Sequence, residues 1–412
     1  MSRILAYTSP ARGHLFPLTP VLDELHARGH AITVRTLASE LDLMRSRGFA
    51  ADAIDPAIEA IEHDDWQERR PQAALRRAVR TFCARAEYDA ADLGRAIEEG
   101  DPDVVIVDIQ SWGALATAEA SGRPWAAFCP YPLPLPSRDA PPFGPGLPPA
   151  RGPIGQLRDR ALRPLVIGAV ERIIVGQLNE VRAGLGVGPV DATTMFTRPP
   201  RLIYMTAEPF EYPRSDWPAN VRLVGPCAWD PPAEAPAWLA EIERPLVLVT
   251  TSSEFQDDGR LVRTALEALA DEPVAVVATL PTADRSGIDA PANAWVLPFV
   301  PHGALLARAA CAVTHGGMGA TQKALANGVP VCAVPFGRDQ LEVARRVEVC
   351  GAGTRLPASR LTPERLRSKV RAALECGAGA ERIAAAFAAA GGPVRAAAVV
   401  EEILPRPARA AA

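Results

Sequence analysis

Residues Ala310 to Arg346 read ACAVTHGGMGATQKALANGVPVCAVPFGRDQLEVARR, and their reading decides the fold. Ala310 to Val313 is a short apolar run of the kind that forms a buried parallel strand. Thr314-His315-Gly316-Gly317-Met318-Gly319 follows, and from about Ala320 to Asn327 the pattern predicts a helix that Gly328 stops in the usual cap position. Val329 to Val334 reads as a second buried strand, with Pro335 to Gln340 as its loop. A strand, a glycine-rich turn and a helix N-terminus make an anion site, because free backbone N–H groups and the positive end of the helix dipole point into it. Glycines let a diphosphate approach the main chain, and His315 adds a donor. A lone glycine pair would as readily serve a tight turn.

Outward from this stretch the chain alternates strands and helices. Arg3 to Thr8 is a strand, Ser9 to His14 its loop, and Leu15 to Arg28 a helix with Leu18, Val21, Leu22 and Leu25 on one face. Gly29 ends the helix and Ala31 to Thr36 is the next strand, a βαβ start whose ligands belong at the carboxyl ends of strands. His14 stands there, although on these residues alone it reads first as a loop histidine at a helix start. Gln72 to Gly100 is helical, with Leu75, Val79, Phe82, Ala86 and Leu93 on its apolar face. Pro102 to Val107 is a strand that ends in Asp108, and a helix from about Gly113 to Ser121 and a strand at Trp125 to Phe128 follow. A carboxylate so placed also reads as a helix cap. Asp64-Asp65 reads as a solvated acidic pair.

Tyr131 to Gly155 is rich in Pro and Gly and predicts an ordered loop, Arg163 to Gly184 is helical, and Leu202 to Met205 is the last strand of the first sheet. Pro245 to Thr250 restarts a doubly wound sheet and runs into Thr251-Ser252-Ser253. Helix Leu261 to Ala270 and strands Val274 to Ala278 and Ala294 to Leu297 continue it, and Val394 to Ile403 is a terminal helix. The fold class is α/β, divided into residues 1–207, an inter-domain segment 208–236, a second domain 237–392 and a terminal helix and tail 393–412.

The 412 residues, 48% of them hydrophobic, are enough for two cores. A formal net charge of −4 argues against nucleic acid and anionic membrane partners. Seven cysteines without paired spacing argue for a reducing cytoplasm and against zinc. No secretory leader and no apolar run of membrane-spanning length is expected, hence no stable membrane insertion.

The stretch resembles the donor-binding signature of the family 1 glycosyltransferases, carried by His315, Gly316, Gly317, Gly319, Gly328-Val329-Pro330 and Pro335 to Gln340. Gly13-His14-Leu15-Phe16-Pro17 and Arg28-Gly29-His30 resemble the same family's N-terminal pattern. The resemblance implies the GT-B fold, two doubly wound Rossmann-like domains facing a central cleft. It implies a cytoplasmic, inverting, metal-independent enzyme without a cofactor, which moves a sugar from a nucleotide diphosphate sugar to a small, largely apolar natural product. In that family the first histidine, here His14, is the base, an aspartate corresponding to Asp108 holds its other ring nitrogen, and His30 is structural. Donor contacts would come from Ser252, Ser253, Phe299, Val300, His315, Gly316, Gly317, Met318, Gly319 and Ala320, with Asp339 and Gln340 on sugar hydroxyls. Acceptor contacts would come from Phe16, Phe82, Trp112 and Tyr131. A homodimer is compatible with this class.

Three departures stand out. Ser252 and Ser253 follow a strand where the family more often has a glycine. Ala320 replaces a threonine, with Thr321 one step on. Lys323 replaces a glutamate that accepts both ribose hydroxyls, which an ammonium cannot do. That last change favours thymidine over uridine diphosphate sugars. The rival readings are an epimerase of nucleotide sugars on the same fold, which needs further acid/base residues around the sugar, and a non-catalytic helper, for which Lys323 alone speaks.

Overall fold

The computed structural model describes residues 1–68, 70–282, 285 and 287–405, so the tail 406–412 lies outside it. Seven parallel strands form the first sheet: β1 (Arg3–Tyr7), β2 (Ala31–Thr36), β3 (Ala50–Ala53), β4 (Val104–Asp108), β5 (Trp125–Cys129), β6 (Arg201–Tyr204) and β7 (Val221–Leu223), in the order β3-β2-β1-β4-β5-β6-β7. Central strands such as Val104–Asp108 are buried throughout, which is why they read as unbroken apolar runs rather than alternating ones. The chain winds outward from β1 to β3 and then returns to β4 on the other side of β1. Carboxyl ends of β1 and β4 therefore flank a switch point, where a doubly wound sheet opens a crevice. His14 follows one of these strands and Asp108 ends the other.

The second sheet repeats the plan with β8 (Leu246–Thr250), β9 (Ala275–Thr279), β10 (Ala294–Leu297), β11 (Ala309–Thr314), β12 (Val331–Ala333) and β13 (Gly353–Arg355), all parallel, in the order β10-β9-β8-β11-β12-β13. Its switch point lies between β8 and β11, where Thr250 pairs in register with Thr314. Ser252 and His315 leave the sheet side by side at that point.

Several expectations need correction. The first sheet does not end at β6, because Val221–Leu223, inside the segment read as inter-domain, pairs with it. A helix begins at Gly152, within the stretch read as irregular, and runs to Val170; Pro153 suits a first helical turn, where its missing N–H is not needed. A window within Gly377–Glu401 reaches a mean hydropathy of 1.6, so an apolar run of membrane-spanning length by composition does exist. That run breaks into helices Gly377–Ala390 and Gly392–Glu401 at Gly391, which is left-handed (φ +92°). Ala396, Ala397, Val399 and Val400 of the second helix are buried in the first domain's core against helix Arg12–Ala27. Glu401 there takes Arg28 at 2.6 Å and His30 at 3.2 Å, the structural use expected of His30.

The two halves also meet in a buried ion network. Arg346, 1% exposed, donates to Glu211 at 2.9 Å and to Glu342 at 3.0 Å, and Arg214 adds a bond to Glu211 at 3.1 Å. Burial alone would raise Glu211, but the two guanidiniums hold it below the ordinary carboxylate range. Removing one partner from such a set strands a desolvated charge. Arg346→Ala is expected to lower stability by about 3–5 kcal/mol, read as a drop in urea midpoint; an unchanged midpoint would show that water or Arg214 replaces it.

Candidate active site

Asp108 has no exposed surface at the end of β4. Four groups reach its carboxylate: Ser9 N–H at 3.0 Å, Ser9 Oγ at 2.6 Å, Gln110 N–H at 2.9 Å and His14 Nδ1 at 2.8 Å. Burial would push Asp108 up, yet the charge and hydrogen bond of His14, with those of Gln110 and Ser9, hold it below the ordinary value. His14 sits in the first turn of helix Arg12–Ala27, and its Nδ1–H is directed to Asp108. That bond leaves Nε2 as the nitrogen able to take a proton. Burial would lower His14, but the charge and hydrogen bond of Asp108 outweigh it, and Glu254 and Asp339 of the second domain add in the same sense. The result is an imidazole above its ordinary 6.5.

Across the cleft, β11 runs into His315-Gly316-Gly317 and helix Met318–Ala326. Gly316 is left-handed (φ +85°), and a Cβ on Gly317 would stand 2.2 Å from His315 Nε2, so the turn tolerates no side chain there. Burial keeps His315 below its ordinary value in spite of Asp258 and the Thr250 carbonyl, so the ring is neutral near pH 7. Its buried Nδ1 has no partner among the described residues. Its other ring nitrogen, Nε2, lies against Gly317 at the helix start.

Other residues singled out in the sequence fall around these two centres. Ser252 is buried, giving its N–H to Asp258 and accepting Glu254 N–H at Oγ, whereas Ser253 is exposed. Phe299 is exposed, while Val300 and Met318 bury their side chains in the second domain's core. Gly319 and Ala320 lie at the start of the helix. Thr321 is fully buried and shares a hydrogen bond with Thr314, so it does not stand in for the family's threonine at 320. The Gln340 side chain accepts Phe336 N–H at 2.8 Å and Gly337 N–H at 3.1 Å and donates to Gln256 at 2.6 Å; it shapes the loop that presents Asp339. Tyr131 lies 5.8 Å from the His14 ring, and Phe16 meets Trp229 edge-on at 5.3 Å. Phe82 packs between His63 and Trp112, and Trp112 is embedded with Ile173, Leu178 and Val190, which makes it a wall of that side.

Three features escaped the sequence. Asp65 is not a solvated acid: it is 5% exposed and receives the Arg338 guanidinium from the other domain at 2.7 Å. Lys323 neither faces solvent nor stays free; it donates to the Trp229 carbonyl at 2.7 Å and to Asp230 Oδ1 at 2.5 Å, while Asp230 Oδ2 accepts Gly303 N–H. Ser9 holds Asp108, although in the sequence it reads only as loop. Its one sequence signal is a hydroxyl directly after the first strand.

Comparisons with known proteins bear on the family and the fold. The family model of the C-terminal domain of erythromycin biosynthesis protein CIII-like proteins matches residues 263–403. The chain is 34% identical to 4'-demethylrebeccamycin synthase of Lentzea aerocolonigenes over 393 residues, 91% of this chain and 92% of that protein. Among solved structures it is similar to the glycotransferase of kitacinnamycin, with a TM-score of 0.76 at 22% identity, covering 98% of this chain and 99% of that one. It is also similar to glycosyltransferase VinC in complex with DTDP, with a TM-score of 0.68 at 24% identity, covering 97% and 100%.

A base must be neutral to accept a proton. Activity is therefore expected to rise with pH through an acidic limb above 6.5, the ordinary imidazole value that His14 exceeds. Asp108→Asn removes the charge that raises His14 and should move that limb down as well as reduce the rate. A pH profile of kcat/KM whose acidic limb is the same in both proteins would remove Asp108 from this role.

Proposed function

Because the chain belongs to the bacterial natural-product members of the family 1 glycosyltransferases, we propose that it transfers a sugar with inversion from a thymidine diphosphate sugar to a hydroxyl of a small, largely apolar natural product. The observation that carries this reading is the pairing of His14 with Asp108 at one switch point, while at the opposite one β11 runs into the His315 glycine turn and the start of a helix. In this mechanism His14 Nε2 takes the acceptor proton as the acceptor oxygen bonds to the anomeric carbon. The bond from that carbon to the diphosphate oxygen breaks on the opposite face, and its electron pair leaves with the diphosphate. The Gly317 amide, the first-turn amides of helix Met318–Ala326, the His315 N–H and the helix dipole stabilise the leaving charge, so the chemistry requires no metal; the Gly316 amide is already committed to Thr314 Oγ1 at 3.1 Å. Asp339, which makes no cap bond to its own helix, is free to hold sugar hydroxyls. Tyr131, Phe16 and Phe82 supply the apolar acceptor side.

Thymidine is favoured because the carboxylate expected for ribose is Lys323, held against Trp229 and Asp230. A ribose 2'-hydroxyl at that position loses an acceptor, and a deoxyribose has none to lose. The DTDP held by the VinC structure supports the same donor class. The seven cysteines, all unpaired in the structure, suit a cytoplasmic location.

Two outcomes test this reading. His14→Ala should reduce turnover by roughly 10² to 10⁴ with nucleotide affinity retained, and mass spectrometry should show glycosylated acceptor from the unaltered protein. Return of an epimerised nucleotide sugar, or a His14→Ala rate within about threefold of the parent, would sink the transferase mechanism. In calorimetry thymidine diphosphate should bind on the order of tenfold more tightly than uridine diphosphate, the effect of one lost buried hydrogen bond. Equal or tighter binding of uridine diphosphate would overturn the role given to Lys323.

A further inference from the structure

We propose that Glu342 is a positioning residue that fastens the proline- and glycine-rich loop 131–151 of the first domain to helix Gln340–Val349 of the second, so that nucleotide bound in one domain orders the acceptor wall of the other. This rests on the donor site proposed above and adds to it a route between the two substrates.

Glu342 is 2% exposed. Its Oε1 accepts two main-chain N–H groups from the other domain, Gly144 at 2.8 Å and Gly146 at 2.9 Å, and its Oε2 accepts Arg346 at 3.0 Å. Gly144 (φ +119°) and Gly146 (φ +61°) both have conformations that side chains disfavour, and these turn both amides onto one oxygen. A Cβ on Gly146 would lie 2.4 Å from the Leu341 carbonyl oxygen, so loop backbone rests directly on helix backbone. Arg345 Nε donates to the Gly146 carbonyl at 2.7 Å, so both polar main-chain groups of that residue are engaged by the helix.

The helix that does this is the one whose start presents Asp339. At its N-terminus the Gln340 main chain closes on the diphosphate turn, where a Cβ on Gly316 would stand 3.2 Å from the Gln340 carbonyl oxygen. At the loop's other end Tyr131 stands beside His14. A packed path therefore runs from Gly316 through Gln340 and Glu342 to Gly144 and Gly146, and along the loop to Tyr131. Segment 61–67 of the first domain is gripped in the same way, with Arg338 on Asp65 and Trp66 edge-on to Phe255 at 4.8 Å. Loop 131–151 has no strand or helix of its own before Gly152, so its order depends on such contacts. Because they cross the cleft, they are complete only when the two domains are together. Donor and acceptor affinities are then linked, each raising the other by the same factor.

Hydrogen exchange of the full-length protein, followed over peptides spanning the loop with and without thymidine diphosphate, tests this. In the parent protein the nucleotide should slow loop exchange by roughly tenfold. In Glu342→Ala the loop should exchange fast with or without it, while calorimetric affinity for the nucleotide changes far less. A residue serving stability alone would alter exchange equally in both conditions. If Glu342→Ala fails to fold, Arg345→Ala, which leaves the Glu342–Arg346 pair intact, should show the same loss to a smaller degree. Nucleotide that binds without protecting the loop, or protection that survives in both variants, overturns the proposal alone. Nucleotide that does not bind overturns the donor site and this coupling with it.

Discussion

A carboxylate with no exposed surface, set at the end of a strand of valines and isoleucine, can stay ionised only if the fold surrounds it with donors. Asp108 meets that constraint with the Ser9 amide and hydroxyl, the Gln110 amide and His14. These donors arrive on three pieces of chain: the loop after β1, the turn after β4 and the first turn of helix Arg12–Ala27. Satisfying one buried charge thereby fixes the geometry of the whole crevice. It also selects the histidine tautomer and sets its basicity.

The second domain solves a complementary problem. Its switch point sets the His315 ring against Gly317 at the start of helix Met318–Ala326, whose first-turn amides have no partner within the helix. In the proposed function one crevice takes a proton and the other receives negative charge, the two halves of a glycosyl transfer. Facing them requires the domains to be held in register, and the buried set of Arg346, Glu211, Arg214 and Glu342 does so at the base of the cleft. Such a network specifies an arrangement more than it adds stability, since desolvating the charges offsets much of their attraction.

Much of this was legible in the sequence because parallel strands buried on both faces leave continuous apolar runs, and glycines mark where a sheet meets a helix. Most strands of both sheets, the His315 turn and its helix follow from such local patterns, to within a few residues, whereas β7 and the edge strand β13 were not read. His14 and Asp108 did not follow from pattern alone, as each reads first as a helix-end residue; family resemblance linked them across ninety-four positions, and the structure sets His14 Nδ1 2.8 Å from the Asp108 carboxylate. Where the sequence failed, the deciding partner was remote or the element too short. Asp65 reads as a solvated acid until Arg338, 273 positions away, is seen on it. Val221–Leu223 has too few residues for a periodicity, and its pairing with β6 is a tertiary fact. Lys323 signals only a missing carboxylate, and where its ammonium goes depends on how the inter-domain segment folds over the helix.

In the mechanism proposed here, the attacking oxygen and the departing diphosphate lie on opposite faces of the sugar. Anomeric configuration in the product is therefore the most direct probe. With a donor α-linked at the diphosphate and an accepted hydroxyl substrate, proton NMR of the purified glycoside should show the β-anomer from the first turnover. An α-linked product would contradict a single displacement driven by His14 and would require a different base, nucleophile or sugar orientation.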